Sequence, residues 1–216
     1  MAQNFDRLTA KPTSRSFRWI APTTIDQSAD TEIPKAYGRS GVVVEIGSGV
    51  GWHAITYSRQ NPEKIIIAIE RTRDKFSRFK SRILTNGPIP NLIPVHGDAL
   101  RQLPPHLEKL SLESVFILYP NPEPKAKAQR WIHMPFLDLL REALCPDGCV
   151  FFATNVQNYA EEILATAPLR GWIVSKDRSI NRTGNPDFQP RTHFEKKYFL
   201  RGETLRHIEL KKKGPS

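Results

Sequence analysis

Cysteine is nearly absent from this chain of 216 residues: only Cys145 and Cys149 occur, too few for a disulfide framework. They flank Pro146-Asp147-Gly148, a tight turn, and read as small apolar fillers, so no metal site is expected. Long apolar runs are missing too. No stretch approaches the roughly 20 residues that a bilayer needs, so no membrane partner is expected. The residues after Met1 are polar and charged where a secretory signal would carry an apolar segment, which points to a reducing, cytoplasmic setting. Acid is also in short supply. Asp and Glu number 22 against 32 Lys and Arg, a net charge of +10, and that surplus asks for a polyanionic partner. What the chain does have is 39% hydrophobic residues, enough for a real core at a length where about 70% of the unfolded surface can be buried.

The surplus is unevenly placed. Residues 1–40 carry 6 basic and 4 acidic side chains, residues 41–169 carry 14 and 13, and residues 170–216 carry 12 and 5. The body reads as neutral and the tail as basic. In the tail, Arg178, Arg182, Arg191, Lys196, Lys197 and Arg201 are interleaved with Trp172, Phe188, Phe194, Tyr198 and Phe199. Such a mixture suits phosphate neutralisation beside stacked or packed rings, and a nucleic-acid-facing edge is expected there.

Residues 1–34 show no sustained periodicity and hold Pro12, Pro22 and Pro34; they read as a mobile arm before a single domain over 35–216. From Gly41 short apolar runs alternate with amphipathic segments. Strands are predicted at Val42–Ile46, Ile65–Ile69, Leu92–Val95, Val115–Tyr119 and Cys149–Ala153. Helices are predicted at Trp52–Arg59, Arg71–Leu84, Gln129–Leu144 and Asn158–Ala167. Val42-Val43-Val44 and Ile65-Ile66-Ile67 are continuous apolar runs suited to a parallel sheet buried on both faces. The fold class is α/β, a doubly wound, Rossmann-like and mostly parallel sheet. Strand-like runs at Gly171–Val174, Lys197–Leu200 and Leu205–Leu210 would close it as an antiparallel edge hairpin. Within Arg71–Leu84, Phe76, Phe79 and Ile83 fall at helical spacing and read as core anchors, with Arg71, Arg73, Lys75, Arg78, Lys80 and Arg82 on the solvated back.

The sharpest local signal is Glu45-Ile46-Gly47-Ser48-Gly49-Val50-Gly51, a strand running into a glycine turn and then a helix. Glycine is needed where a ligand touches backbone. The second strand ends near Glu70, where an acid can hold the two hydroxyls of a ribose, and Asp98 follows the third strand. Glu45 would set a carboxylate near a pyrophosphate, which disfavours NAD. The same carboxylate suits S-adenosyl-L-methionine, which is cationic and carries no phosphate.

Three further stretches carry a resemblance. Phe116-Ile117-Leu118-Tyr119-Pro120-Asn121-Pro122-Glu123-Pro124-Lys125 is similar to Phe-Pro-Asp-Pro-Trp-x-Lys. Ala153-Thr154-Asn155-Val156-Gln157-Asn158-Tyr159-Ala160 is similar to Ala-Thr-Asp-Trp-x-x-Tyr-Ala, and Arg191-Thr192-His193-Phe194-Glu195 to Arg-x-Thr-Lys-Phe-Glu. With the loop, they make residues 41–211 resemble the bacterial tRNA (guanine-N7-)-methyltransferases, a class I S-adenosylmethionine-dependent family. The resemblance implies methyl transfer to guanine N7 of a tRNA partner. Glu45, Gly47, Gly49, Gly51, Glu70 and Asp98 would hold the cofactor, Asn121 would stand at the catalytic position, and Lys125, Asn155, Thr192 and Glu195 would bind substrate. Asn121 and Asn155 depart from the family's aspartates, and Glu123 and Val156 from its tryptophans.

Two other readings compete. Asn121-Pro122-Glu123-Pro124 partly resembles the Asn-Pro-Pro-aromatic signature of amino-nitrogen methyltransferases, without the aromatic. A non-catalytic RNA-binding relative would keep the fold but has no need of the three loop glycines and the acids at positions 45, 70 and 98.

Overall fold

The apolar runs that begin at Val42 become five parallel strands: β1 (Val42–Ile46), β2 (Ile65–Glu70), β3 (Leu92–His96), β4 (Leu112–Leu118) and β5 (Leu144–Thr154). The structure, a computed structural model, describes residues 32–121 and 126–213. Two more strands, β6 (Trp172–Ile180) and β7 (Leu205–Lys212), complete a seven-stranded sheet of order β3-β2-β1-β4-β5-β7-β6. β7 lies antiparallel between β5 and β6. Helices α1 (Trp52–Gln60), α2 (Arg73–Asn86), α3 (Ala99–Gln102), α4 (Pro135–Ala143) and α5 (Gln157–Thr166) connect the strands, and α6 (His193–Leu200) sits between β6 and β7.

Burial on both faces explains the continuous apolar strands. Val42, Val44 and Ile46 point into one core with Phe136, Leu140, Tyr159 and Ile163 of α4 and α5. Val43 points the other way, into a smaller core with Ala54 and Ile55 of α1 and Phe79 of α2. A strand covered by helices on both sides has no polar face to alternate with.

Four details differ from the sequence reading. The helix predicted over 129–144 is broken: Lys127–Gln129 and Trp131–His133 are single 3-10 turns, and α4 starts only at Pro135. Proline can open a helix but cannot continue one, because it lacks the N–H and clashes with the preceding turn. The strand expected at Lys197–Leu200 is instead the second half of α6, so the edge hairpin pairs β7 with β6, not with that run. The turn at Pro146-Asp147-Gly148 lies within β5: Leu144 pairs with Leu112 and Cys149 with Ser114, so residues 145–148 bulge opposite Glu113 alone. Finally, Ile33 and Ala36 are fully buried in the larger core, while residues 1–31 of the expected arm lie outside the described residues.

Candidate active site

The carboxyl ends of β1 to β5 bring Glu45, Glu70, Asp98, Asn121 and Asn155 to one edge of the sheet, whereas Thr192 and Glu195 come from α6. Gly47, Gly49 and Gly51 all lie in the left-handed region, with φ of 76°, 59° and 79°, where only glycine sits without strain. Their reasons differ. A Cβ at Gly47 or Gly49 would meet nothing within 4 Å, whereas one at Gly51 would fall 1.9 Å from the Phe79 ring. Gly47 and Gly49 therefore leave open space along the loop, and Gly51 lets α1 begin against α2. The Gly47 and Ser48 amides both donate to the Ile69 carbonyl, at 2.8 and 3.0 Å, anchoring the loop to β2. Ser48 Oγ is buried with no hydrogen-bond partner among the described residues.

Glu70 ends β2 in direct contact with that loop. Its Oε2 accepts from the Gly49 amide at 2.8 Å and its Oε1 from the Thr72 amide at 2.7 Å. Each oxygen keeps a lone pair. Asp98 caps α3, with Oδ1 accepting from the Leu100 amide at 3.0 Å. Glu45 is buried behind the loop, its Oε2 3.0 Å from His53 Nδ1. His53 was not singled out by the sequence reading; its signal was its place on the first turn after the glycines, on the face that Glu45 shares. Its ring packs edge-on against Phe116 at 4.7 Å.

On the neighbouring strand ends the backbone is strained. Tyr119, directly after β4, has φ of 53°, costly for an aromatic residue and most often retained at working sites. Its amide donates to the Ala153 carbonyl at 2.7 Å, its ring packs 5.7 Å from Tyr198, and its hydroxyl is buried on the side of the Glu195 carboxylate. Burial raises its pKa, and the nearby Glu195 carboxylate adds to the effect. The turn delivers Asn121 to the surface. Lys125 and Glu123 lie outside the described residues. Asn155 follows β5, with Nδ2 donating to Glu203 Oε2 at 2.7 Å; Glu203, just before β7, was also missed by the sequence reading.

Thr192 and Glu195 serve α6 itself. Thr192 is the N-cap, its Oγ1 accepting from the Glu195 amide at 3.0 Å. Glu195 is fully buried, with Oε1 taking Arg191 Nη2 at 2.6 Å and His207 Nε2 at 2.9 Å, while Oε2 takes the Arg191 amide at 2.6 Å. Burial alone would raise its pKa, yet the hydrogen bonds from His207 and Arg191 hold it at about 2. Arg191, read as a phosphate ligand, is thus committed to Glu195. The start of α6 reaches the end of the glycine loop through His193, whose ring meets Trp52 of α1 edge-on at 4.6 Å. Among the described residues no group of three or more His, Cys, Asp and Glu forms a metal site, and no helix is long and apolar enough to cross a membrane.

An open glycine loop with acids at the ends of β1 and β2 and after β3, on a sheet of this order, defines a class I methyltransferase. The comparisons agree. A family model described as "Putative methyltransferase" matches residues 39–208. The tRNA (guanine-N(7)-)-methyltransferase of Nitrosomonas europaea is 31% identical, covering 82% of this chain and 79% of its own. The protein of the same name from Actinobacillus succinogenes is 32% identical, covering 84% and 72%. The chain belongs to the bacterial tRNA (guanine-N7-)-methyltransferase family. Solved structures extend the fold alone. The 16S rRNA methyltransferase KamB has a TM-score of 0.57 at 19% identity, covering 83% of this chain and 91% of its own. Precorrin-6y C5,15-methyltransferase from Geobacter metallireducens has 0.52 at 16%, covering 83% and 86%.

Proposed function

We propose that this protein is a cytoplasmic enzyme that transfers a methyl group from S-adenosylmethionine to guanine N7 in tRNA. The observation that carries the cofactor is the open cradle along Gly47 and Gly49, with Glu70 fixed against it by the Gly49 amide. The unused lone pairs of the Glu70 carboxylate suit the two ribose hydroxyls, and Asp98 suits the adenine amino group. Glu45, held by His53 behind the loop, contributes a negative field toward the cationic end without touching phosphate. The tRNA substrate rests on the relatives that carry that name and on the chain's net charge of +10.

When bound, the cofactor supplies an electrophilic methyl group. Guanine N7 would accept that group with its own lone pair, the N–C bond forming as the S–C bond breaks and its electrons return to sulfur. No proton leaves N7, so the protein needs position and field rather than a general base. Asn121 is exposed two residues after the strained Tyr119, and its amide would bind the base edge. Asn155 has its Nδ2 committed to Glu203, which leaves its Oδ1 as an acceptor. Stabilising the positive charge that develops on the purine falls to these groups. A neutral amide in place of a carboxylate lowers the rate by roughly ten- to a hundredfold, about 1–3 kcal/mol.

The test is incubation with unmodified tRNA and labelled S-adenosylmethionine, followed by borohydride and aniline. Cleavage at one labelled guanosine is expected. Label appearing only in another RNA or a small molecule would remove the substrate while leaving the class.

A further inference from the structure

The near-neutral charge of the body conceals a division. In residues 71–82 there are six basic side chains to one acid, Asp74, so the rest of residues 41–169 carries eight to twelve. Arg71, Arg73, Lys75, Arg78 and Lys80 are exposed and Arg82 half-buried. Among the described residues none of the six forms an ion pair, whereas the tail neutralises several of its own cations: Arg191 on Glu195, Arg206 on Asp177 and Lys176 on Glu209. α2, with Arg71 just ahead of it, therefore carries a dense group of cations that no acid neutralises among the described residues.

Lys75, Arg78 and Arg82 stand at i, i+3 and i+7, on one flank of the helix. α2 rides beside the cofactor loop: Phe79 fills the space that glycine leaves at position 51, and the Phe76 ring stacks on His96 at 5.1 Å. The flank continues onto α6. Arg82 and Lys196 both lie close enough to His193 that, after burial, their charges lower its pKa. Beyond His193 come the exposed Lys196 and Lys197, and Phe194, which is 42% exposed and stacked on Tyr198 at 6.0 Å.

We propose that the flank of α2 carrying Lys75, Arg78 and Arg82, continued by Lys196, Lys197 and Phe194 of α6, is the track on which the RNA backbone lies as it reaches the cofactor loop. This rests on the tRNA reading above. Cations spaced along a helix neutralise successive phosphates, and each one engaged steepens the salt dependence of binding. An exposed ring among them offers a stacking surface to an unpaired base.

The test is binding of an unmodified tRNA transcript, followed by fluorescence anisotropy across salt concentrations, for the wild type and for Lys75→Glu/Arg78→Glu. At about 50 mM salt the variant is expected to bind more than tenfold more weakly, with the slope of log K against log salt shallower by about 2. Its S-adenosylmethionine binding by calorimetry and its melting temperature should match the wild type, and Lys75→Arg/Arg78→Lys should keep RNA binding. Equal affinity and slope in wild type and Glu variant would overturn the track while the tRNA reading stands. No tRNA binding by the wild type would remove both. Loss of binding only to phosphatidylglycerol vesicles, with tRNA binding intact, would reassign the flank to a membrane surface and overturn the proposal.

Discussion

Asn155 donates to Glu203 across 48 positions of sequence, at 2.7 Å. An aspartate there, the residue carried by the family that this chain resembles, would set two carboxylates against each other. The amide at 155 is therefore matched to its neighbour on the β7 side. Asn155→Asp is expected to lower stability by about 1–3 kcal/mol near neutral pH, through like-charge repulsion and a lost hydrogen bond. Adding Glu203→Gln should recover most of it, since the amide then donates to the new carboxylate. A double-mutant cycle by urea denaturation reads the coupling directly, and strictly additive effects would sink the pairing. This relation was invisible in the sequence because nothing local links positions 155 and 203. Glu70 was legible for the opposite reason: its distance along the chain from the loop is set by one βαβ unit.

At the scale of elements, the loop glycines separate two functions that the sequence reading had grouped together. Gly51→Ala would drive a methyl group to 1.9 Å from the Phe79 ring in a left-handed conformation. Overpacking of this kind, with backbone strain added, costs about 2–4 kcal/mol, so thermal unfolding should show a melting temperature lower by several degrees. Gly47→Ala meets no such obstacle and should cost only about 1 kcal/mol of strain, while calorimetry shows weakened S-adenosylmethionine binding. The reverse ranking would exchange the roles of the two glycines. The parallel strands were readable because burial on both faces writes itself as unbroken Val and Ile. α6 was not: Lys197–Leu200 is a short run whose period fits helix or strand, and its state is decided by the Thr192 cap.

For the whole molecule, the cluster of Arg191, Glu195 and His207 ties α6 to β7 and so joins the tail to the sheet. Its titration makes stability depend on pH. Glu195 falls from an ordinary 4.5 to about 2 in the folded chain. A carboxyl lowered in this way stabilises fully above about 4.5 and loses that contribution as pH falls towards 2, a difference of about 3 kcal/mol for the fully buried group. His207 acts in the same direction at higher pH. Burial lowers its pKa against the pull of Glu195, so the unfolded chain takes up a proton first and stability declines as pH drops below about 6.5. Acid should therefore loosen the molecule in two stages, one below about 6.5 shared with His193 and His106, whose values are also lowered, and one below about 4.5 led by Glu195 and shared with Glu162 and Glu209, whose carboxyls are lowered by their own partners. Urea midpoints measured from neutral pH down to about pH 3 are expected to trace both stages. Glu195→Gln should start from a lower stability, because the amide cannot accept from Arg191 and His207 as a carboxylate does, and should lose the larger part of the second stage, leaving the share of Glu162 and Glu209. A variant that kept the full acid slope below 4.5 would place the titrating carboxyl elsewhere in the fold.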